Sequence, residues 1–215
     1  MNQPTKKINR ALSISQLQLK KFLKLSLSPD WQECIGIPEA NGVWFVWGHS
    51  GHGKSRFLMA LAKELTKYGK VAYNTLEEGA RASMQDNIND AGMDEADVKK
   101  NIIILNREPI EDLKIRLRRK KHPQFVIIDS FQYTALTKQQ YINLKEEFND
   151  VLFIFNSHAE GKEPQGNVAK FVRFDADVKI RVEGFKAFPM SRSGGGKPYV
   201  IWDKGASNYW LDINK

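Results

Sequence analysis

The chain has 215 residues, 41% hydrophobic and 27% charged, the balance of a folded globular protein with room for one α/β domain and a substantial core. A single cysteine, Cys34, excludes an internal disulfide and a cysteine-built zinc site and fits a reducing compartment. No run approaches the roughly 18 apolar residues that cross a bilayer, and no apolar stretch follows the basic Lys6, Lys7 and Arg10 to make a secretion signal, so a cytoplasmic protein without a membrane partner is expected. The net charge of +8 favours an anionic partner such as nucleic acid without identifying one.

In chain order, residues 1 to about 30 read as an appendage and 31–215 as one domain. Within the appendage, the run 14–27 interleaves Leu17, Leu19, Phe22, Leu23 and Leu27 with Lys20, Lys21 and Lys24 at near-helical spacing. That face can pack on its own domain, reach a neighbouring subunit or touch nucleic acid. Pro29 and Asp30 end the pattern. An apolar strand over 43–47 then leads into Gly48-His49-Ser50-Gly51-His52-Gly53-Lys54-Ser55 and a helix over 54–68. This is G-x-x-x-x-G-K-[S/T] between a strand and a helix, the context a phosphate-binding loop requires. Its glycines let successive backbone N–H groups face a polyphosphate, and the helix start adds its positive dipole end. Lys54 is the candidate for the β- and γ-phosphates of ATP, Ser55 for Mg²⁺, and Arg56 completes the nucleotide-contacting set.

A strand over 70–74 ends in the acidic turn Leu76-Glu77-Glu78-Gly79. In a parallel sheet that turn opens on the same edge as the phosphate loop, which makes Glu77, with Glu78 in reserve, the candidate for orienting an attacking water. Helices over 80–91 and 95–100, a strand over 102–106 and a helix over 110–120 follow. The basic run 114–122 is read as a solvated helix face rather than a nucleic-acid patch, because Leu113, Ile115 and Leu117 turn toward the sheet and cations suit a helix C-terminus. The strand 125–129 delivers Asp129, a candidate acid for the metal. After a helix near 138–148, the strand 151–156 runs into Ser157-His158 at the same sheet edge. His158 is there either a γ-phosphate contact or an ordinary satisfied histidine. The polar segment 159–167 comes next; Lys162, Gln165 and the nearby Lys170 would meet a phosphate backbone if it orders with ATP, and otherwise it is an inert surface loop. Four strand-like runs, 176–183, 186–190, 199–203 and 209–213, predict an antiparallel extension, with 193–197 as a flexible turn. Alternating strands and helices before it predict an α/β fold: a mostly parallel twisted sheet flanked by helices.

Taken together, Gly48–Ser55, Leu76-Glu77-Glu78, Ile128-Asp129-Ser130, Ser157-His158 and Ser191-Arg192-Ser193-Gly194 occur in the order of the RecA-like P-loop ATPases. Over about residues 31–205 the chain resembles the branch holding RadA/Sms, the DnaB-type helicases and KaiC. The resemblance implies a Mg²⁺-dependent ATPase assembling as a homo-oligomeric ring or filament on DNA, single-stranded in the first instance, in recombination, repair or replication. A KaiC-like module that binds a protein partner and no DNA is the alternative. It further implies Lys54 and Ser55 on phosphate and Mg²⁺, Glu77 as catalytic carboxylate, Asp129 on the metal, His158 as γ-phosphate sensor and 160–170 as the DNA-contacting loop. Where relatives carry Lys-x-Arg to reach into the neighbouring subunit's ATP, this chain has Met190-Ser191-Arg192, so only Arg192 remains for that role.

Overall fold

In a computed structural model that describes residues 11–213, the chain threads a single mixed sheet with helices on both faces. The basic residues Lys6, Lys7 and Arg10 lie outside the described residues. In chain order the elements are α1 (Ile14–Leu19), α2 (Pro29–Ile35), β1 (Gly42–Gly48), α3 (Lys54–Leu65), β2 (Val71–Thr75), α4 (Ala82–Asp90), α5 (Ala96–Asn101) and β3 (Ile102–Asn106). There follow α6 (Ile110–Leu117), β4 (Phe125–Asp129), a 3₁₀ turn (Phe131–Thr134), α7 (Lys138–Glu147), β5 (Leu152–Glu160) and β6 (Glu163–Pro164), then α8 (Asn167–Asp175), β7 (Val178–Glu183), β8 (Lys186–Ser191), β9 (Tyr199–Val200) and α9 (Asp203–Ile213).

The strand order is β3-β2-β4-β5-β1-β7-β8-β9, with the short β6 pairing beside β5. The six strands from β3 to β7 run parallel. Because strand side chains alternate faces, β1 sends Trp44 and Val46 to one side and Val43, Phe45 and Trp47 to the other, all of them buried. The first side is closed by α3 through Phe57, Leu58 and Leu61, and the second by α6, α7 and α8 through Leu113, Tyr141, Leu144 and Val172. This double burial is why the strands read as continuous apolar runs rather than alternating ones.

The N-terminal segment divides in two. Only 14–19 of the expected helical run is helix, started by a capping box between Ser13 and Gln16, and Ile14, Leu17 and Leu19 on it are exposed. Beyond it the chain is extended, bridges Lys24 to Glu39 and buries Leu25 and Leu27 in the core. The buried carboxylate of Glu64 on α3 fastens this segment: the backbone N–H and hydroxyl of Ser28 donate to it at 2.8 Å, and Lys67 donates at 2.6 Å. Burial alone would raise the Glu64 pKa, but these donors hold it below the usual value. Pro29, instead of only ending a pattern, opens α2, whose Trp31 stacks on Tyr199 at 4.3 Å.

The C-terminal third needs correction at several points. Strand β7 pairs parallel with β1, so the antiparallel part is β8 and β9. The run 209–213 is not a strand but the end of helix α9, where Trp210 Nε1 donates to the Gly184 carbonyl at 3.1 Å and Ala206 is buried. Five apolar-rich residues are too few for periodicity to separate a strand from a helix. Helix α8 was also hidden: its Ala169 and Val172 are buried three apart, but the glycines and proline before it gave a loop signal. The glycine run 193–197, expected as a flexible turn, caps α2, with Gly196 N–H donating to the Cys34 carbonyl at 2.9 Å and Lys197 N–H to Glu33 at 3.1 Å.

Leu27→Ala is therefore expected to lower unfolding stability by about 2–5 kcal/mol, whereas exposed Leu17→Ala should stay within about 0.5 kcal/mol of the parent. Urea unfolding followed by circular dichroism distinguishes the two.

Candidate active site

The parallel register brings the carboxyl ends of β1, β2, β4 and β5 to one sheet edge; Gly48 stands opposite His158, and Thr75 opposite Asp129. A cleft of about 460 Å³ opens there. Its walls include Ser50, Gly51 and the run 53–56 from the phosphate loop, Glu77 and Glu78 after β2, Asp129 after β4, and Asn156 and His158 on β5. The loop turns through Gly51 and Gly53 at φ of +79° and +96°, and a Cβ on Gly53 would also press on the Phe185 ring at 3.1 Å.

Lys54 opens α3 and is buried, its ammonium donating to the His49 carbonyl at 2.9 Å. Burial lowers its pKa, while Asp129 and Glu77 pull it back up. Buried Asp129 accepts from the Tyr73 hydroxyl at 2.7 Å and from the Asn156 amide. Its pKa is raised, first by burial and then by Glu77 and Glu78, against those two donors. The carbonyl of Asp129 also accepts from the N–H groups of Leu76 (2.6 Å) and Glu77 (3.1 Å), which fixes the acidic turn beside the Asp129 carboxylate. Arg107 clamps the turn from the other side, donating to the carbonyls of Glu77 and Glu78 at 3.1 and 3.0 Å.

The two glutamates face different partners. Glu77 Oε2 lies 3.1 Å from His158 Nε2, whereas Glu78 accepts from the Ser83 hydroxyl at 3.0 Å. Gln132 braces the Ser157-His158 pair: its amide oxygen accepts from His158 N–H at 3.3 Å, and its amide nitrogen donates to Ser157 Oγ at 2.7 Å and to the Gln165 carbonyl at 3.1 Å.

The side chains of His49 and His52 turn away from the cleft. His49 Nε2 donates to the Gly161 carbonyl at 2.9 Å. His52 Nδ1 accepts from the Gly184 N–H at 3.0 Å, and its ring meets Tyr209 edge-on at 5.3 Å. Arg56 pairs with Asp90 and lies over the Trp202 ring at 5.6 Å, and Phe185 meets Trp202 edge-on at 5.1 Å. This aromatic shelf at the cleft mouth was missed because Phe185 and Trp202 lie far from any motif and are joined only by the β7–β8 turn and the start of α9.

Three expected positions are not assembled with the cleft. Lys162 is in a tight turn between β5 and β6, Gln165 follows β6, and Lys170 is on α8; all three are exposed. The expected long loop is thus a short hairpin and a helix, held by an Arg173–Glu163 ion pair of 2.7 Å and by Trp47 Nε1 donating to the Lys162 carbonyl at 3.0 Å. Arg192 stands at the far end of the sheet, beyond the pairing of Ser191 with Val178, 70% exposed and 3.7 Å from Asp177. It cannot reach the cleft of its own chain.

The donor set fits a hard cation. The Ser55 hydroxyl makes no hydrogen bond among the described residues, Asp129 supplies carboxylate oxygens, and Asn156 Oδ1 is buried without a partner beside them. Mg²⁺ takes one or two protein oxygens and completes its shell with water and phosphate, and Ser55 and Asp129 would supply those oxygens.

No protein-family model matches the sequence, and no curated protein matches it. Among solved structures, the flagellar accessory protein FlaH from Methanocaldococcus jannaschii superposes with a TM-score of 0.61 at 17% identity, covering 82% of this chain and 92% of that one. A KaiC-like protein from Pyrococcus horikoshii gives 0.59 at 18% identity, over 83% and 94%. The chain has the α/β RecA-like fold, a mostly parallel sheet flanked by helices with antiparallel strands at its C-terminal side, as its motif order implied. Among the described residues no helix is long and apolar enough to cross a membrane.

Burial first, then His49, lowers the pKa of His52 below its ordinary 6.5, and the Gly184 N–H contact requires the neutral ring. The unfolded chain then takes up this proton first as pH falls through 6.5, so the contribution is complete above that value and is lost below it. Thermal unfolding of His52→Gln should show a smaller loss between neutral and mildly acidic pH than the parent.

Proposed function

We propose that this protein is a Mg²⁺-dependent ATPase that assembles head to tail and grips single-stranded DNA in a nucleotide-dependent way, in recombination, repair or replication. The observation that carries the ATPase reading is the meeting of Lys54, Asp129 and Glu77 at one cleft under the phosphate loop. Lys54 and the loop's backbone N–H groups would bind the β- and γ-phosphates, with Ser55 and Asp129 holding Mg²⁺. When bound, the ion neutralises charge on the phosphates. Glu77, freed from His158 or acting with it, would orient the attacking water; Glu78, engaged with Ser83, is the weaker candidate. His158, at the cleft on β5, would sense the γ-phosphate, and Phe185 and Trp202 would offer a surface for the base.

The DNA part rests on the net charge of +8, on exposed Lys162, Gln165 and Lys170, and on the link from the phosphate loop through His49 to Gly161. The short, hydrogen-bonded form of the 159–167 segment favours the second reading, a KaiC-like module whose nucleotide state governs a protein partner. Head-to-tail assembly is supported by Arg192, which is exposed and remote from its own cleft, as a residue serving a neighbour's ATP must be.

Glu77→Gln is expected to lower phosphate release by about 100-fold or more while ATP still binds, since positioned acid–base groups contribute that much. Turnover at the parent rate would remove Glu77 from the role. Arg192→Ala should lower turnover by about 1,000-fold if it acts as a finger, and mixing it with Glu77→Gln should restore part of the rate, because each variant supplies what the other lacks. An Arg192→Ala protein with undiminished turnover would end the shared-site model.

A further inference from the structure

At the opposite edge of the sheet, the level starts of β2, β3 and β4 create a second feature. Val71 pairs with Ile102 and with Phe125, so the residues just before each strand, Lys70, Lys100 and the 119–123 turn, come side by side. They enclose a cavity of about 150 Å³ lined by Lys70, Lys100, Arg119 and Lys121 together with Arg116 and His122, and the exposed Ile103 contributes apolar surface. No acidic side chain lines it. Strands of five residues rising about 3.3 Å each put it on the order of 16 Å from the ATP cleft, at the other end of the same strands.

The basic run 114–122 therefore does not have one role. Lys114, Arg116 and Arg118 are matched to Glu111, Glu108 and Glu147, as a solvated helix face predicts, and Arg116 is a bidentate partner of Glu108 at 2.9 and 2.6 Å. His122 lies 3.4 Å from Asp150. Lys70, before β2, Lys100, at the end of α5, and Arg119 and Lys121, between α6 and β4, make no ion pair among the described residues and are all exposed. Four cations without an ion pair, at a concave site whose own lining carries no carboxylate while its Arg116 and His122 are matched by Glu108 and Asp150, raise the local potential where an anion would enter. The backbone is fixed beneath them: the Lys70 carbonyl accepts from Gln124 and Phe125 N–H at 3.0 and 3.1 Å, and Asn101 donates to the Thr66 carbonyl at 3.2 Å.

We propose that this cavity is a phosphodiester-binding site for single-stranded nucleic acid, separate from the 159–170 surface and independent of the nucleotide cleft. A phosphate between the cations would leave its sugar beside the exposed Ile103. The four cations contact the backbone without reading sequence.

The test is fluorescence anisotropy of an oligothymidylate with the full-length protein in the absence of ATP, over a range of salt, comparing the parent with Lys100→Ala/Arg119→Ala/Lys121→Ala. Three lost phosphate contacts should reduce the slope of log affinity against log salt by about 2 and weaken binding at low salt by about tenfold or more. Nucleotide binding and thermal unfolding of the variant should match the parent. An unchanged slope in the folded variant, or no oligonucleotide binding by the parent at low salt, overturns the proposal. So does equal binding of polyglutamate or phosphatidylserine vesicles by the parent, which would assign the patch to an acidic protein or a lipid surface. Ultraviolet crosslinking of a bromodeoxyuridine oligonucleotide to the parent should label peptides containing 70–71, 100–103 or 119–123; labelling confined to 158–170 would refute it.

Discussion

The arrangement of this molecule depends on parallel strand register. A parallel sheet delivers every strand's carboxyl end to one edge, so a lysine after β1, a carboxylate after β4, an acidic turn after β2 and a histidine on β5 share a cleft although they lie up to 104 positions apart in sequence, from Lys54 to His158. The same register sends the strand starts, and the cations that precede them, to the other edge. Neither edge needs special folding of its own; both follow from the core that fixes the register.

Electrostatics at the cleft are balanced between opposed burials. Lys54 is pulled toward its neutral form by burial and Asp129 toward its protonated form; Asp129 and Glu77 help keep Lys54 charged, while the Tyr73 and Asn156 donors favour the Asp129 carboxylate. Tyr73 and Asn156 hold the carboxylate in place, while Arg107 and the Asp129 carbonyl hold the acidic turn. The resting contact of Lys54 with the His49 carbonyl, and of His49 with Gly161, joins the phosphate loop to the hairpin after β5. A polyphosphate that draws Lys54 away from that carbonyl would act directly on the first step of this path.

Much of this was legible in the sequence because the signals were local and backbone-bound. Residues 48–55 carry their own turn chemistry, and 125–129 is an apolar strand tipped with an acid, so the meeting of the glycine loop and the Asp129 carboxylate at one cleft could be expected in advance. What escaped depends on long-range packing. Phe185 and Trp202 meet only once β7, β8 and α9 are folded; Arg107 and Gln132 act through carbonyls and amides that no spacing reveals. Helices α8 and α9 lay behind glycine and proline signals or in runs too short to show a period. The basic run 114–122 was half readable: its paired members are explained by their helix, while Arg119 and Lys121 gain their setting only beside Lys70 and Lys100.

The central claim is that the loop from Gly48 to Ser55 cradles a triphosphate gripped by Lys54. Isothermal titration calorimetry of Mg-ATP into the parent and into Lys54→Ala tests it most directly. The account predicts a saturable isotherm with one ATP per chain for the parent and none for the variant. No binding heat from the folded parent at several temperatures, or an unaltered isotherm for Lys54→Ala, would contradict it.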